Sequence, residues 1–256
     1  MLNRRTLLGT LCALPFLSRL GFAVSSVAEE PLAFEVGEKL SYTLSWQFIH
    51  AGRSTLEVLP DEVLDGEKVR SFRMTIQSAK VLDAFYKVRD NITALAKYDI
   101  SRSLGYSKIQ REGRIKRDIT VDFDWKTQNA RYTESIAGDS HIIPVAENTL
   151  DPLSAIFYIR NQKLEVGTVI KGPLTDGLKC SEAHIRVMER DWIKVNGVKY
   201  DAFKLVPDLN NVSGMFEKSK DAPVEFWVTA DHRHIPVLFK SKVKIGSFKV
   251  ELINQE

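Results

Sequence analysis

His232 and His234 flank Arg233 at positions i and i+2, which on a strand share a face and would bring two imidazoles to one metal. A site needs a further ligand, and Asp231 would point to the opposite face, so the pair reads as a polar hairpin ahead of a strand at Pro236. Asp122 and Asp124 also share a face, as a general acid and base would. Asp118 and Thr120 continue that face, and a solvated outer surface accounts for all four. Asp151, Ser154 and His141 have the residue types of an acyl-transfer triad, but no Gly-x-Ser-x-Gly turn presents the nucleophile. Cys180 has no activating neighbour in sequence, and no glycine-rich phosphate loop occurs. The residues therefore nominate no catalytic group, no metal site and no cofactor.

Recognition of an apolar molecule is the chemistry the remaining residues suit. Trp46, Trp125, Trp192 and Trp227 fall on different expected strands, and Phe48, Phe72, Phe85, Tyr86 and Phe226 could join them inside a curved sheet. Ordinary core is one reading of these rings. The other is a groove for an acyl chain or apolar peptide, with Trp46, Phe72, Tyr86, Trp125 and Phe226 as ligand-binding candidates. Lys108, Arg111, Arg114, Lys116 and Arg117 form a basic run broken by Glu112 and Asp118. With Gly113 the run reads as a solvated hairpin or as a contact for an anionic lipid or glycan.

Strands must position these groups. Leu40, Tyr42, Leu44 and Trp46 alternate with polar neighbours, as do Ile119, Val121, Phe123 and Trp125, which is the period of a half-buried strand. Ser54 to Leu59, Val69 to Ser78, Phe85 to Lys97, Leu104 to Arg111, Ala183 to Val195, Lys199 to Val206, Val224 to Thr229, Pro236 to Ile245 and Ser247 to Ile253 complete about a dozen. Asp65-Gly66, Lys126 to Asn129, Asn196-Gly197 and Ile245-Gly246 are turn chemistry between them, so neighbours are antiparallel. One helix interrupts the pattern at Pro152 to Gln162, with Asp151 as N-cap, proline at the first position, and Arg160 and Lys163 near its end. Leu209 to Ala222 reads as a mobile loop.

The helix divides two halves with spaced matches. Glu35-Val36-Gly37 recurs as Glu165-Val166-Gly167, Asp65-Gly66 with Phe72 as Asn196-Gly197 with Phe203, and Tyr98-Asp99 with Arg102 as Ala230-Asp231 with Arg233. Either the matches are chance or a meander is duplicated over about 32–150 and 164–256, both copies sharing one sheet. The expected fold is mainly β: a curved antiparallel sheet, a half-barrel or partly open barrel, with one principal helix.

Residues 1–28 read as an export signal: Arg4 and Arg5, an apolar run from Leu7 to Leu17, and a small-x-small end at Ser26 and Ala28. Arg19 cuts the uncharged run short of the ~20 residues of a membrane span. The paired arginines with Leu7-Leu8 fit a twin-arginine signal as well as an ordinary secretory one. Leu11 ahead of Cys12 argues against lipidation there. Without Arg4, Arg5 and Arg19 the 36 basic residues become 33 against 33 acidic, so residues 29–256 are formally neutral, with no electrostatic footprint for nucleic acid. Cys180 alone remains, so no internal disulfide is expected in this single β-rich domain.

The chain resembles domain-of-unknown-function family 3108, whose members are exported bacterial proteins. The resemblance rests on Phe34 to Tyr42 with Trp46 and Ala51-Gly52, on Asp151 to Ala155 with Tyr158 and Arg160, and on Trp227 to Asp231 with Arg233 and Ile235 to Val237. It covers residues 32–252 and implies a β-rich envelope protein, similar more loosely to the half-barrel of periplasmic lipoprotein carriers. It supplies no catalytic residue. The expectation is a periplasmic, non-catalytic protein that holds an apolar or amphipathic ligand, lipid or lipoprotein-like, in its curve. The alternatives are an assembly factor bound to another envelope protein, and a hydrolase.

Overall fold

The computed structural model describes residues 32–208, 224–242 and 246–256; the expected export signal and the loop at Leu209 to Ala222 lie outside them. Described residues from Leu32 onward belong to one compact unit. The first stretch contains β1 (Lys39–Trp46), β2 (Ile49–Val58), β3 (Glu62–Leu64), β4 (Glu67–Ser78), α1 (Lys80–Asp83), β5 (Arg89–Lys97), β6 (Ser103–Glu112), β7 (Ile115–Asp124), β8 (Asn129–Glu134) and β9 (Asp139–Pro144). Then come α2 (Pro152–Arg160), β10 (Val169–Thr175), β11 (Cys180–Val195), β12 (Val198–Asp208), β13 (Val224–Thr229), β14 (Pro236–Lys242) and β15 (Ser247–Gln255).

All strands join one antiparallel sheet in the order β10-β11-β12-β13-β14-β15-β1-β2-β4-β5-β6-β7-β8-β9, with β3 paired to β4. The second run of strands precedes the first because β15 pairs with β1. The two edges then meet. Gly177, just past β10, sits so close to Val121 and Tyr132 that an added Cβ would lie 2.6 Å from one and 2.8 Å from the other. His141 of β9 donates its Nε2–H to the Gly177 carbonyl at 3.2 Å, and Leu150 bridges Leu174 in parallel. The sheet is therefore curled with its edges in side-chain contact, yet β9 and β10 share no ladder and the barrel stays open.

Turn residues behave as their types dictate. Asp65-Gly66 and Asn196-Gly197 both take two consecutive positive φ angles, as two-residue hairpins require. The spaced matches fall on similar turns: Gly37 N–H donates to Val58 O and Val58 N–H to Glu38 O, while Gly167 N–H donates to Val187 O and Val187 N–H to Thr168 O. Asp151 caps α2 by accepting from the amides of Leu153 and Ser154 at 2.8 and 2.9 Å. The helix stops two residues before the expected Gln162, where Asn161 leaves helical geometry.

Three departures from the sequence expectation have physical causes. The strand expected from Phe85 starts at Arg89, because Ser78, Asp83 and Arg89 form a polar clamp that holds Lys80–Asp83 as one helical turn and carries Phe85 and Tyr86 off the ladder. Strand β2 starts at Ile49 rather than Ser54, since Gly52 lets the backbone of β4 approach; a Cβ there would overlap the Gln77 carbonyl. The edge strands β9 and β10 contain Pro144 and Pro173, which suppress a strand signal but are tolerated where one side of the ladder is free.

Candidate functional site

Residues directly opposite in paired strands share a face, so the register maps the inner side of the curl. One row runs Val58, Phe72, Ala94, Tyr106, Val121, Tyr132 across six strands from β2 to β8. Since Gly177 from the opposite edge packs on Val121 and Tyr132, this is the enclosed face. Leu44, Val250, Phe239, Phe226 and Leu205 form a row on the same face across β1, β15, β14, β13 and β12, and Trp46 pairs with Phe248 in the next.

Burial on this face changes along the strands. Leu40 and Tyr42 are buried on β1, while Leu44 and Trp46 beyond them are half-exposed; Phe72 is buried on β4, and Met74 and Ile76 are not. On β15 the sequence is Leu252 buried, Val250 partly covered and Phe248 41% exposed. The sealed end is the α2 end, where Phe157 stacks on Phe72 at 3.9 Å and Phe34 meets both edge-on. At the other end the inner face is apolar and opens to solvent, with Leu44, Trp46, Met74, Ile76, Phe239 and Val250 around it.

The five candidate aromatics separate along this gradient. Trp46 and Phe226 lie on the open half of the inner face, three strands apart, which is about 14 Å at the usual spacing. Phe72 is sealed in the core. Trp125 is held by its Nε1–H to the Ser103 carbonyl at 2.9 Å, with Arg102 over its ring and Phe123 stacked beside it. Tyr86 lies at the rim against Gly113. Phe48 and Phe85, expected inside the curve, stand exposed on connections at that rim, since neither residue is in a strand. Trp192 is exposed under Lys199, and Trp227 is covered by Lys204 and Lys240.

The polar candidates are engaged in structure. His234 donates Nδ1–H to the Arg160 carbonyl at 2.7 Å, and burial pushes its pKa down; His232, two residues earlier in the turn, is exposed. Asp124 accepts from the amides of Lys126 and Thr127 in its turn. Asp151 also accepts from Ser103 Oγ at 2.5 Å, and complete burial raises its pKa despite this bond and the two from the Leu153 and Ser154 amides, which oppose the shift.

Sequence reasoning missed the polar centre of the fold. Arg160, at the end of α2, donates to both oxygens of Glu38 at 2.5 and 3.1 Å, to Ala33 O at 2.9 Å and to Arg233 O at 3.0 Å. Arg233 donates to Glu38 at 2.8 Å, and Tyr42 donates its hydroxyl to Pro236 O. These residues come from the three separated segments beginning at Phe34, Asp151 and Trp227. Their shared signal was charge inside otherwise apolar motifs: Glu38, Arg160 and Arg233. The hydrogen bonds among these groups lock the three segments together.

An open, curled antiparallel sheet with one capping helix and a partly open apolar inner face defines a β-barrel-like fold. It is similar to a β-barrel-like protein of domain of unknown function DUF1849 from Brucella abortus, with a TM-score of 0.52 and 9% identity over 86% of this chain and 97% of that one. A protein with a YmcC-like fold from Bacteroides fragilis matches at a TM-score of 0.38 and 6% identity, over 88% of this chain and 98% of that one. The model of the family described as "Protein of unknown function (DUF3108)" matches residues 41–253, and the chain belongs to that family. No curated protein matches the sequence.

Proposed function

We propose that this chain is an exported, periplasmic, non-catalytic protein of the bacterial envelope that holds an apolar or amphipathic molecule, such as a lipid acyl chain, at the open end of its curled sheet. The observation that carries the reading is the burial gradient on one face: sealed by Phe34, Phe72 and Phe157 near α2, apolar and only partly covered around Trp46, Val250 and Phe239, with Phe248 exposed beside them. Apolar side chains turned inward and left half-exposed are a standing cost in water, which an apolar guest removes at ~25 cal/mol per Å² covered. The charge pattern of residues 1–28 supports export.

Solvent extraction of protein purified from its native envelope, followed by mass spectrometry, tests the proposal. Lipid in near-stoichiometric amount is expected. An extract empty of lipid, together with a co-purifying protein in fixed ratio, would move the function to an assembly factor.

A further inference from the structure

The rim at the open end carries a second pattern. The β1–β2 tip presents Phe48, fully exposed. Next to it, Ala79 N–H donates to Ala51 O, which seats α1 beside the tip and puts Val81 and Phe85 in solvent, 70% and 87% exposed. Tyr86 then packs on Gly113, and Gly113 N–H donates to Lys87 O, so the β6–β7 turn continues the same rim. Between these apolar tips stand Lys80, Lys87, Arg114, Lys116 and Arg117, all exposed and none in an ion pair among the described residues. Of the nearby acids, Asp83 and Asp118 are paired with Arg89 and Arg111, while Glu112 and the buried Asp90 lie close to Tyr86, so the cations outnumber the acids not paired with arginine. In a chain whose residues 29–256 have no net charge, these five cations are a local excess.

We propose that this rim docks on the surface of an anionic phospholipid bilayer. Single apolar side chains standing at separate tips, spaced by lysine and arginine, offer no contiguous flat patch of the kind a folded partner covers. They suit the headgroup region, where each ring enters the acyl boundary and each cation meets lipid phosphate. Charge complementarity selects the anionic surface. The proposal rests on the rim alone, but it places the open apolar end of the sheet against the membrane.

Sedimentation of residues 29–256, which carry the complete sheet and core, with phosphatidylglycerol-containing or pure phosphatidylcholine vesicles tests it. Binding to the anionic vesicles that weakens as salt rises is expected, with far weaker binding to neutral ones. Lys80→Glu/Lys87→Glu/Arg114→Glu should lower the partition coefficient about 100-fold or more, and Phe48→Ser/Phe85→Ser about tenfold or more. Lys163→Glu, at the α2 end, should change it less than twofold, and thermal melts of all variants should match the parent. No binding to anionic vesicles at low salt, or equal binding by the rim variants and the parent, overturns the docking. A separate titration with a soluble fluorescent fatty acid reads the apolar site independently of it.

Discussion

Arg160 and Glu38, 122 residues apart, form a two-pronged ion pair in which the arginine side chain is 0% and the glutamate side chain 4% exposed. The pair ties the end of α2 to the start of β1, and Arg233 closes it from the turn before β14. Removing one partner strands the other charge in a low-dielectric interior. Arg160→Met is expected to lower the unfolding free energy by about 3–5 kcal/mol, and adding Glu38→Leu should recover most of that loss. Urea titrations followed by tryptophan fluorescence measure both; a loss below about 1 kcal/mol for Arg160→Met would show that the pair is not a lock.

The stack of Phe72 on Phe157 makes a related prediction, because both rings are sealed from solvent. Phe72→Ala should destabilise by about 3–5 kcal/mol, while Tyr86→Ala, at the exposed rim, should stay within about 0.5 kcal/mol. Comparable costs at the two positions would contradict the sealed end and open rim described above.

Asp90 is held above the usual carboxylate range. Burial, first, and the neighbouring Glu112 carboxylate push its pKa up to about 6, against the stabilising bond from the Arg111 amide. The folded chain therefore binds more protons at this site than the unfolded chain between about pH 4 and 6. This contribution to stability is present below the lower value and lost as pH rises through the upper one. Asp90→Asn should flatten that part of the profile and raise stability at pH 8 by about 1–2 kcal/mol. Chemical denaturation across the range checks it; an unchanged pH dependence would mean that Asp90 is not the group responsible.

The legible part of the fold was its local part. Alternation at Leu40 to Trp46 and at Ile119 to Trp125, the turns at Asp65-Gly66 and Asn196-Gly197, and the Asp151-Pro152 helix start each depend on neighbours in sequence, and each stands in the structure. Curling is not local. Contact between Gly177 and Val121 needs the whole sheet in place, as does the meeting of Glu38, Arg160 and Arg233. The candidate site was half visible for the same reason. Periodicity puts Trp46 and Phe226 on an inward face, but whether a ring on that face is sealed, like Phe72, or open depends on where α2 docks. Tyr86 was misplaced on a strand because the clamp among Ser78, Asp83 and Arg89 involves polar groups that alternation ignores.

Titration of residues 29–256 with an environment-sensitive fluorescent fatty acid, for the parent and for Trp46→Glu and Phe226→Glu, bears most directly on the open apolar end of the sheet. Saturable binding with about one site is expected in the parent, weakened about tenfold or more in each variant, with folding unchanged by circular dichroism and with displacement by unlabelled fatty acid. Absence of saturable, displaceable binding in a folded parent, or equal affinity in parent and both variants, would contradict the proposed site.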